Sequence, residues 1–362
     1  WTRCAAAPDP RGPMSNEPAP TPRPRRSLAD RLFRLAGLLV IVASAAAGWM
    51  FMEYRDFTRT PLAVPAAGLV IDIPAGRSVR AIARDLAGRG LIEQPRFFEW
   101  MARHSGAAAR LRAGEYRIEP GTTPETFLRQ LVDGRVMQHG LTIVEGWTFR
   151  QLLDVMHGHA ALRHTLKGQS DEAIMTVLGR DGEHPEGRFL PDTYHFPRGT
   201  TDVAFLERAY DAMQATLARE WATRAPGLPL ESPYEALILA SIVEKETGVA
   251  EERARIAGVF VRRLQKGMRL QTDPTVIYGI GAGFDGDIRF ADLRRDTPYN
   301  TYTRSGLPPT PIALPGADAI RAALHPADGK ELYFVSKGDG SHVFSATLEE
   351  HNRAVRQYQL KR

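Results

Sequence analysis

Ser232-Pro233-Tyr234-Glu235-Ala236-Leu237-Ile238-Leu239-Ala240-Ser241-Ile242-Val243-Glu244-Lys245-Glu246-Thr247-Gly248 is the most informative stretch of the chain. Ser232 stands where a helix cap belongs. Pro233 fits the first helical position, and Glu235 completes a capping box. Gly248 ends the helix. Leu237, Ile238, Leu239, Ile242 and Val243 surround nearly its whole circumference, and a helix apolar all round is buried. Such a helix has no reason to end in two glutamates unless its last turn emerges at a surface or a cleft. Glu244 and Glu246 are two apart, so they point to roughly opposite sides and do not form a paired-carboxylate site. Glu246 continues the bulky stripe of Leu239, Ile242 and Val243. Glu244 continues the smaller, more polar stripe of Leu237, Ala240 and Ser241. A carboxyl in Glu246's surroundings has its pKa raised by desolvation and stays protonated near neutral pH. That is the state a general acid needs to cleave a glycosidic bond. A solvated charge run is the competing reading of the same turn, and Glu244 remains the alternative acid.

Downstream, a helix over Ala250 to Lys266 carries Glu251 and Glu252 early and Arg262, Arg263 and Lys266 late, which complements its macrodipole. Then come Gln271-Thr272-Asp273-Pro274, Tyr299-Asn300-Thr301-Tyr302 and Gly306-Leu307-Pro308-Pro309. These loops are dense in amide, hydroxyl and aromatic groups. Sugar sites use such groups, and so do ordinary turns. Other constellations are weak. Gly279-Ile280-Gly281-Ala282-Gly283 lacks a strand-to-helix setting for a nucleotide fingerprint. Asp285-Gly286-Asp287 is too short for a calcium loop. The histidines show no zinc-hydrolase spacing, and no serine sits in a nucleophile elbow. No metal or cofactor is implied.

The 362 residues, 43% hydrophobic and 25% charged, exclude a disordered chain and a multi-span membrane protein. One cysteine excludes a disulfide framework. The net charge of +5 is mild and does not point to nucleic acid. Of the 47 basic residues only six are lysine, which reads as compositional bias toward arginine.

Toward the N-terminus, Ser15 to Arg26 is Pro-rich and reads as disordered. Residues 1–34 are expected to be a disordered cytoplasmic segment, with 1–13, upstream of Met14, a start-site artefact. Arg23, Arg25, Arg26, Arg31 and Arg34 precede Leu35 to Met52, an uncharged run long enough to cross a hydrocarbon core. Trp49 and Tyr54 suit its interface, and the arginines put the N-terminus in the cytoplasm. A single transmembrane helix over 35–55 is expected. A signal peptide cleaved near Ala45-Ala46-Ala47 and a buried soluble helix are the alternatives; the first is opposed by the apolar run continuing through Met52.

Residues 56–67 read as a linker. Val70 to Ile73 reads as a strand, and Ser78 caps a helix carrying Val79, Ile82 and Leu86. Phe97, Phe98, Trp100 and Met101 mark a second helix. Glu115 to Ile118 reads as a strand, and Thr123 starts another helix ending at Gly134. Leu141 to Val144 opens the next domain as a strand. Glu186 to Pro197 reads as a loop rich in Gly, Pro and aromatics. Gly338-Asp339-Gly340 marks a hairpin, and Thr347 with Glu350 caps the last helix. No internal repeat is read. The fold class is α+β.

Ala240 to Thr247, Gly267 to Gly279, Tyr299 to Tyr302 and Gly306 to Pro309 together resemble the endolytic murein transglycosylases, the YceG-like family. The resemblance covers about Gly68 to the C-terminus. It implies a peptidoglycan lytic transglycosylase held in the inner (plasma) membrane by one helix and facing the periplasm. It implies a LysM-like module over 68–136 and a larger mixed α/β catalytic domain over 137–362. It implies peptidoglycan glycan strands as substrate, with penicillin-binding proteins and the wall elongation machinery as partners. Glu246 maps to the catalytic glutamate; Gln271, Thr272, Asp273, Tyr299, Asn300, Thr301 and Tyr302, from the polar and aromatic loops, are the expected substrate-binding residues. A hydrolase using Asp273 as second carboxylate and a non-catalytic glycan-binding scaffold are the competing hypotheses.

Overall fold

The computed structural model describes residues 28–360. The expected disordered segment therefore lies outside the described residues up to position 27. Helix α1 spans Leu28–Arg59, longer at both ends than the span over 35–55. Residues 28–34 contain neither Pro nor Gly, so nothing interrupts the helix there. It stops just before Pro61, where the residue preceding a proline is driven out of the helical region. At 1.5 Å per residue its 32 residues exceed the thickness of a hydrocarbon core.

The stretch read as a linker is not free chain. Leu62 is buried in a core, its N–H donates to the Thr122 carbonyl, and Ala63 N–H donates to that of Leu91. That core belongs to strand β1 (Leu69–Ile73), helices α2 (Val79–Gly88) and α3 (Pro95–His104), strand β2 (Gly114–Ile118) and helix α4 (Pro124–Asp133). β1 and β2 pair antiparallel, with Ile71 opposite Tyr116.

Residues 137–362 contain two cores rather than one. The first gathers β3 (His139–Thr142), α5 (Phe149–Gly158), β4 (Leu162–Arg163), α6 (Asp171–Val177), β5 (Thr193–Phe196) and the start of α7 (Asp202–Ala222), with β6 (Thr200–Thr201) paired parallel to β4 at its edge. β5 lies within the stretch read as a loop. Thr193 to Phe196 alternates exposed and buried like any strand, but Pro191 and Pro197 on either side hide that period in the sequence. The second core packs α7 with α8 (Pro233–Glu246), α9 (Arg253–Gln265), α10 (Asp273–Ile280) and, past the short α11 (Phe290–Arg294), α12 (Ala317–Leu324). A hairpin of β7 (Tyr333–Ser336) and β8 (His342–Ser345) and helix α13 (Leu348–Tyr358) complete it.

The structure overturns the absence of an internal repeat. Ile71, Ile73, Val79, Ile82 and Leu86 have buried counterparts 70 positions later in Leu141, Ile143, Phe149, Leu152 and Met156. Tyr116, Ile118, Phe127 and Leu128 have theirs 78 positions later in Tyr194, Phe196, Phe205 and Leu206. The strand register agrees: Leu141 pairs with Tyr194 as Ile71 pairs with Tyr116. So do the backbone details. The Tyr116 hydroxyl donates to the Arg112 carbonyl at 2.7 Å, and that of Tyr194 to Leu190 at 2.8 Å. Arg112 N–H bonds the Leu131 carbonyl, and Leu190 N–H bonds that of Ala209. Gly76 and Gly146 both turn at φ +77°. Ser78 and Thr148 cap the next helix, and Thr123 and Thr201 cap the last. The chain holds two copies of one strand–helix–helix–strand–helix unit, the second lengthened between its strands. Glu115 of the first copy joins them, accepting from Arg198 and bonded to His139.

Candidate active site

α8 is the central helix of the second core, with Ala236 through Val243 all buried. Its last turn leaves the core on two sides, as the two-residue spacing requires. Glu244 Oε2 accepts from the Gly316 N–H at 2.9 Å, at the N-terminal cap of α12. Burial raises its pKa, but the carboxylate is engaged with a helix end, where it suits the macrodipole. Its neighbour Lys245 donates to the Gly146 carbonyl, in the turn of the second copy.

Glu246 faces the other way, into a cleft of about 500 Å³. Only part of its surface is reachable, and that from the cleft. Desolvation pushes its pKa up to about 7, with a further rise from nearby Asp273, against lowering by the Thr272 hydroxyl and Arg263. The Thr272 hydroxyl donates to Glu246 Oε1. Thr272 is itself buried, and its N–H donates to the Thr301 hydroxyl at 3.1 Å. The Tyr302 hydroxyl donates to Asp273 at 2.6 Å, and both residues line the cleft. Gln271 lines it too, at φ +52°, the one positive φ outside glycine among the described residues. Backbone strain of this kind gathers at functional sites.

The structure thus brings Gln271, Asp273 and Tyr302 to the cleft with Glu246, and stacks Thr272 and Thr301 behind it. Tyr299 and Asn300 lie elsewhere. Tyr299 packs edge-on to Tyr278 at 4.9 Å and bonds Thr310. The Asn300 amide is spent on the carbonyls of Asp292, Leu293 and Arg295, ending α11. Both hold the loop in shape.

The opposite wall carries no site signal in the sequence: there Tyr333, Ser336, His342 and His351 from the last hairpin and helix line the cleft. The hairpin and its capping box are legible, but nothing local ties them to a helix some ninety residues earlier. Arg263, whose place late in α9 suits the macrodipole, is buried; it donates to the carbonyls of Leu332, Leu270 and Arg269, joining α9 to both walls. Nothing in the sequence marks Glu186 either. Burial pushes it up to about 7; it accepts from Phe149 N–H at 2.9 Å and from the Tyr278 hydroxyl at 3.0 Å, tying the second copy to α10.

A cleft with one desolvated acid, flanked by tyrosine and short polar side chains, fits acid chemistry on a polyhydroxylated substrate. The chain matches the model of the YceG-like family over residues 71–357 and belongs to that family. It is 32% identical over 305 residues to the endolytic murein transglycosylase of Bacillus subtilis (strain 168), covering 80% of this chain and 84% of that protein. It is 26% identical to the protein of the same name from Streptococcus pneumoniae serotype 2, covering 91% of this chain and 65% of that one. Among solved structures, a yceG-like protein from Listeria monocytogenes superposes with a TM-score of 0.51 at 29% identity, over 79% of this chain and 99% of that one.

Proposed function

We propose that this chain is an endolytic murein transglycosylase, a lyase acting on peptidoglycan. Glu246 serves first as general acid and then as general base. The protonated carboxyl gives its proton to the oxygen linking N-acetylmuramic acid to the next N-acetylglucosamine. The C–O bond breaks and positive charge develops at the muramic anomeric carbon. The carboxylate then takes the proton of the sugar's own C6 hydroxyl, whose oxygen attacks that carbon. A 1,6-anhydro ring forms, no water is consumed, and Glu246 is protonated again.

The observation that carries this reading is the raised pKa of Glu246 in the cleft, beside a Thr272 hydroxyl aimed at it. An acid near 7 holds its proton at working pH and can still take one back. The reading extends to α1 as a single membrane anchor with the N-terminus cytoplasmic and the catalytic region periplasmic, supported by its apolar length and by Arg31 and Arg34 ahead of its uncharged run. The strand–helix–helix–strand order of the first copy supports a LysM-like glycan-binding role over 68–136, ahead of the catalytic region over 137–362. Penicillin-binding proteins and the elongation machinery are proposed partners on the family resemblance.

Asp273, in the same cleft, is the second carboxylate a hydrolase would use. Mass spectrometry of glycan digested by the protein separates the two. Anhydro-ended products are expected. Reducing ends would assign the hydrolase instead, and no cleavage would leave a glycan-binding scaffold.

A further inference from the structure

We propose that the first copy of the repeated unit is seated on the membrane itself, with helix α3 lying in the phospholipid headgroup layer. The inference rests on the reading of α1 as a membrane span. An apolar groove of about 440 Å³ runs between Ala47, Met50 and Phe51 of α1 and Arg96, Phe97 and Trp100 of α3. The uncharged run of α1 ends at Met52, so the groove reaches five residues into it, roughly 7 Å along the axis. A bilayer that covers Ala47 therefore also meets Trp100, which is half exposed in the folded chain.

The chemistry of α3 suits that depth. Phe98, Met101 and Ala102 face the core of the unit, while Phe97 and Trp100 form a second apolar face toward α1. Tryptophan is a residue of the membrane interface, and arginine serves as an interfacial anchor beside it. Among the described residues Arg55, Arg59 and Arg96 pair with no carboxylate, which leaves them for lipid phosphates.

The seat is rigid. Tyr54 meets Trp100 edge-on at 4.6 Å and Phe97 at 5.8 Å, and Phe57 lies 5.7 Å from Phe97. Gln94 donates to Glu53 at 2.9 Å. Leu62, three residues past the helix end, is already in the core. The unit cannot lift off the bilayer without breaking these contacts.

The test is fluorine NMR of the full chain labelled with 5-fluorotryptophan, in nanodiscs of phosphatidylethanolamine and phosphatidylglycerol carrying a nitroxide near the glycerol. Trp49→Phe and Trp100→Phe assign the signals. The signals of Trp49 and Trp100 are expected to be lost to paramagnetic broadening, while those of Trp147 and Trp221 persist. A broadened Trp49 beside a sharp Trp100 overturns the seat and leaves the anchor standing, whether the groove is empty or filled by a second copy. Sharp signals from both overturn the anchor and the seat together.

Discussion

The two copies of the repeated unit have the same caps, strand register and tyrosine anchor, yet different neighbours. In the first copy the turn before the helix is open, and nothing lies within van der Waals reach of a Cβ built on Gly76. In the second the same turn is bound on every side. Gly146 N–H bonds the Leu314 carbonyl, Leu314 N–H bonds that of Trp147, and Lys245 reaches the Gly146 carbonyl. Glu145 lies against Gly316 and faces Arg253. One turn geometry is thus a free surface in one copy and the buttress of the α8 end in the other. The surroundings, not the unit, decide its use.

The largest effect expected from this comparison comes from emptying the two cores in turn. Phe127→Ala and Phe205→Ala each remove a fully buried ring and are expected to cost about 3–5 kcal/mol. Their consequences should differ. Phe205→Ala is expected to abolish glycan cleavage, because the second copy holds the α8 end. Phe127→Ala should lower only an early melting transition and leave cleavage of soluble glycan standing. Calorimetry with activity assay checks both; one transition shifted equally by either variant would show that the copies are not separate units.

Next is the pH dependence of stability. Glu246 has a pKa raised to about 7 in the folded chain, so it keeps its proton where the unfolded chain has released it. The stability it contributes is complete below its unfolded value and is lost as pH rises toward 7. Glu246→Gln removes that loss. It is expected to stabilise the protein at pH 8 by on the order of 1–3 kcal/mol and to leave stability at pH 4 nearly unchanged. Denaturant titration at the two values reads this directly.

Smaller, and equal in the two copies, should be the loss of the tyrosine anchors. Tyr116→Phe and Tyr194→Phe each remove one part-buried hydrogen bond to a backbone carbonyl, at about 1 kcal/mol. A large inequality would mean that the copies do not share one framework. The smallest effect is Lys245→Ala. As an exposed surface substitution it should change stability by under about 0.5 kcal/mol, and cleavage should be little changed.

Local chemistry made much of this legible. The cap of α8, its apolar circumference and the divergence of Glu244 from Glu246 follow from helical spacing alone, as do most elements of the first copy. The repeat is hard to see in the sequence because five of its nine matching core positions exchange one apolar residue for another, Val79 for Phe149 among them, and because the extra residues between the strands break the spacing. β5 was hidden by flanking prolines. Three-dimensional proximity was hidden altogether. Asn300 and Tyr299 share a polar, aromatic segment with Tyr302, but only Tyr302 points at the cleft, while His342, His351 and Arg263 reach it from distant elements.

The end of α8 is proposed to divide its labour, with Glu246 as the acid and Glu244 as the tie to α12. Rates of glycan cleavage by Glu246→Gln and Glu244→Gln, assayed side by side with folding verified, test it most directly. Glu246→Gln is expected to lose roughly 10²–10⁴-fold in rate and Glu244→Gln less than about tenfold. A silent Glu246→Gln beside an inactive, folded Glu244→Gln would contradict the claim and move the acid to the other side of the helix.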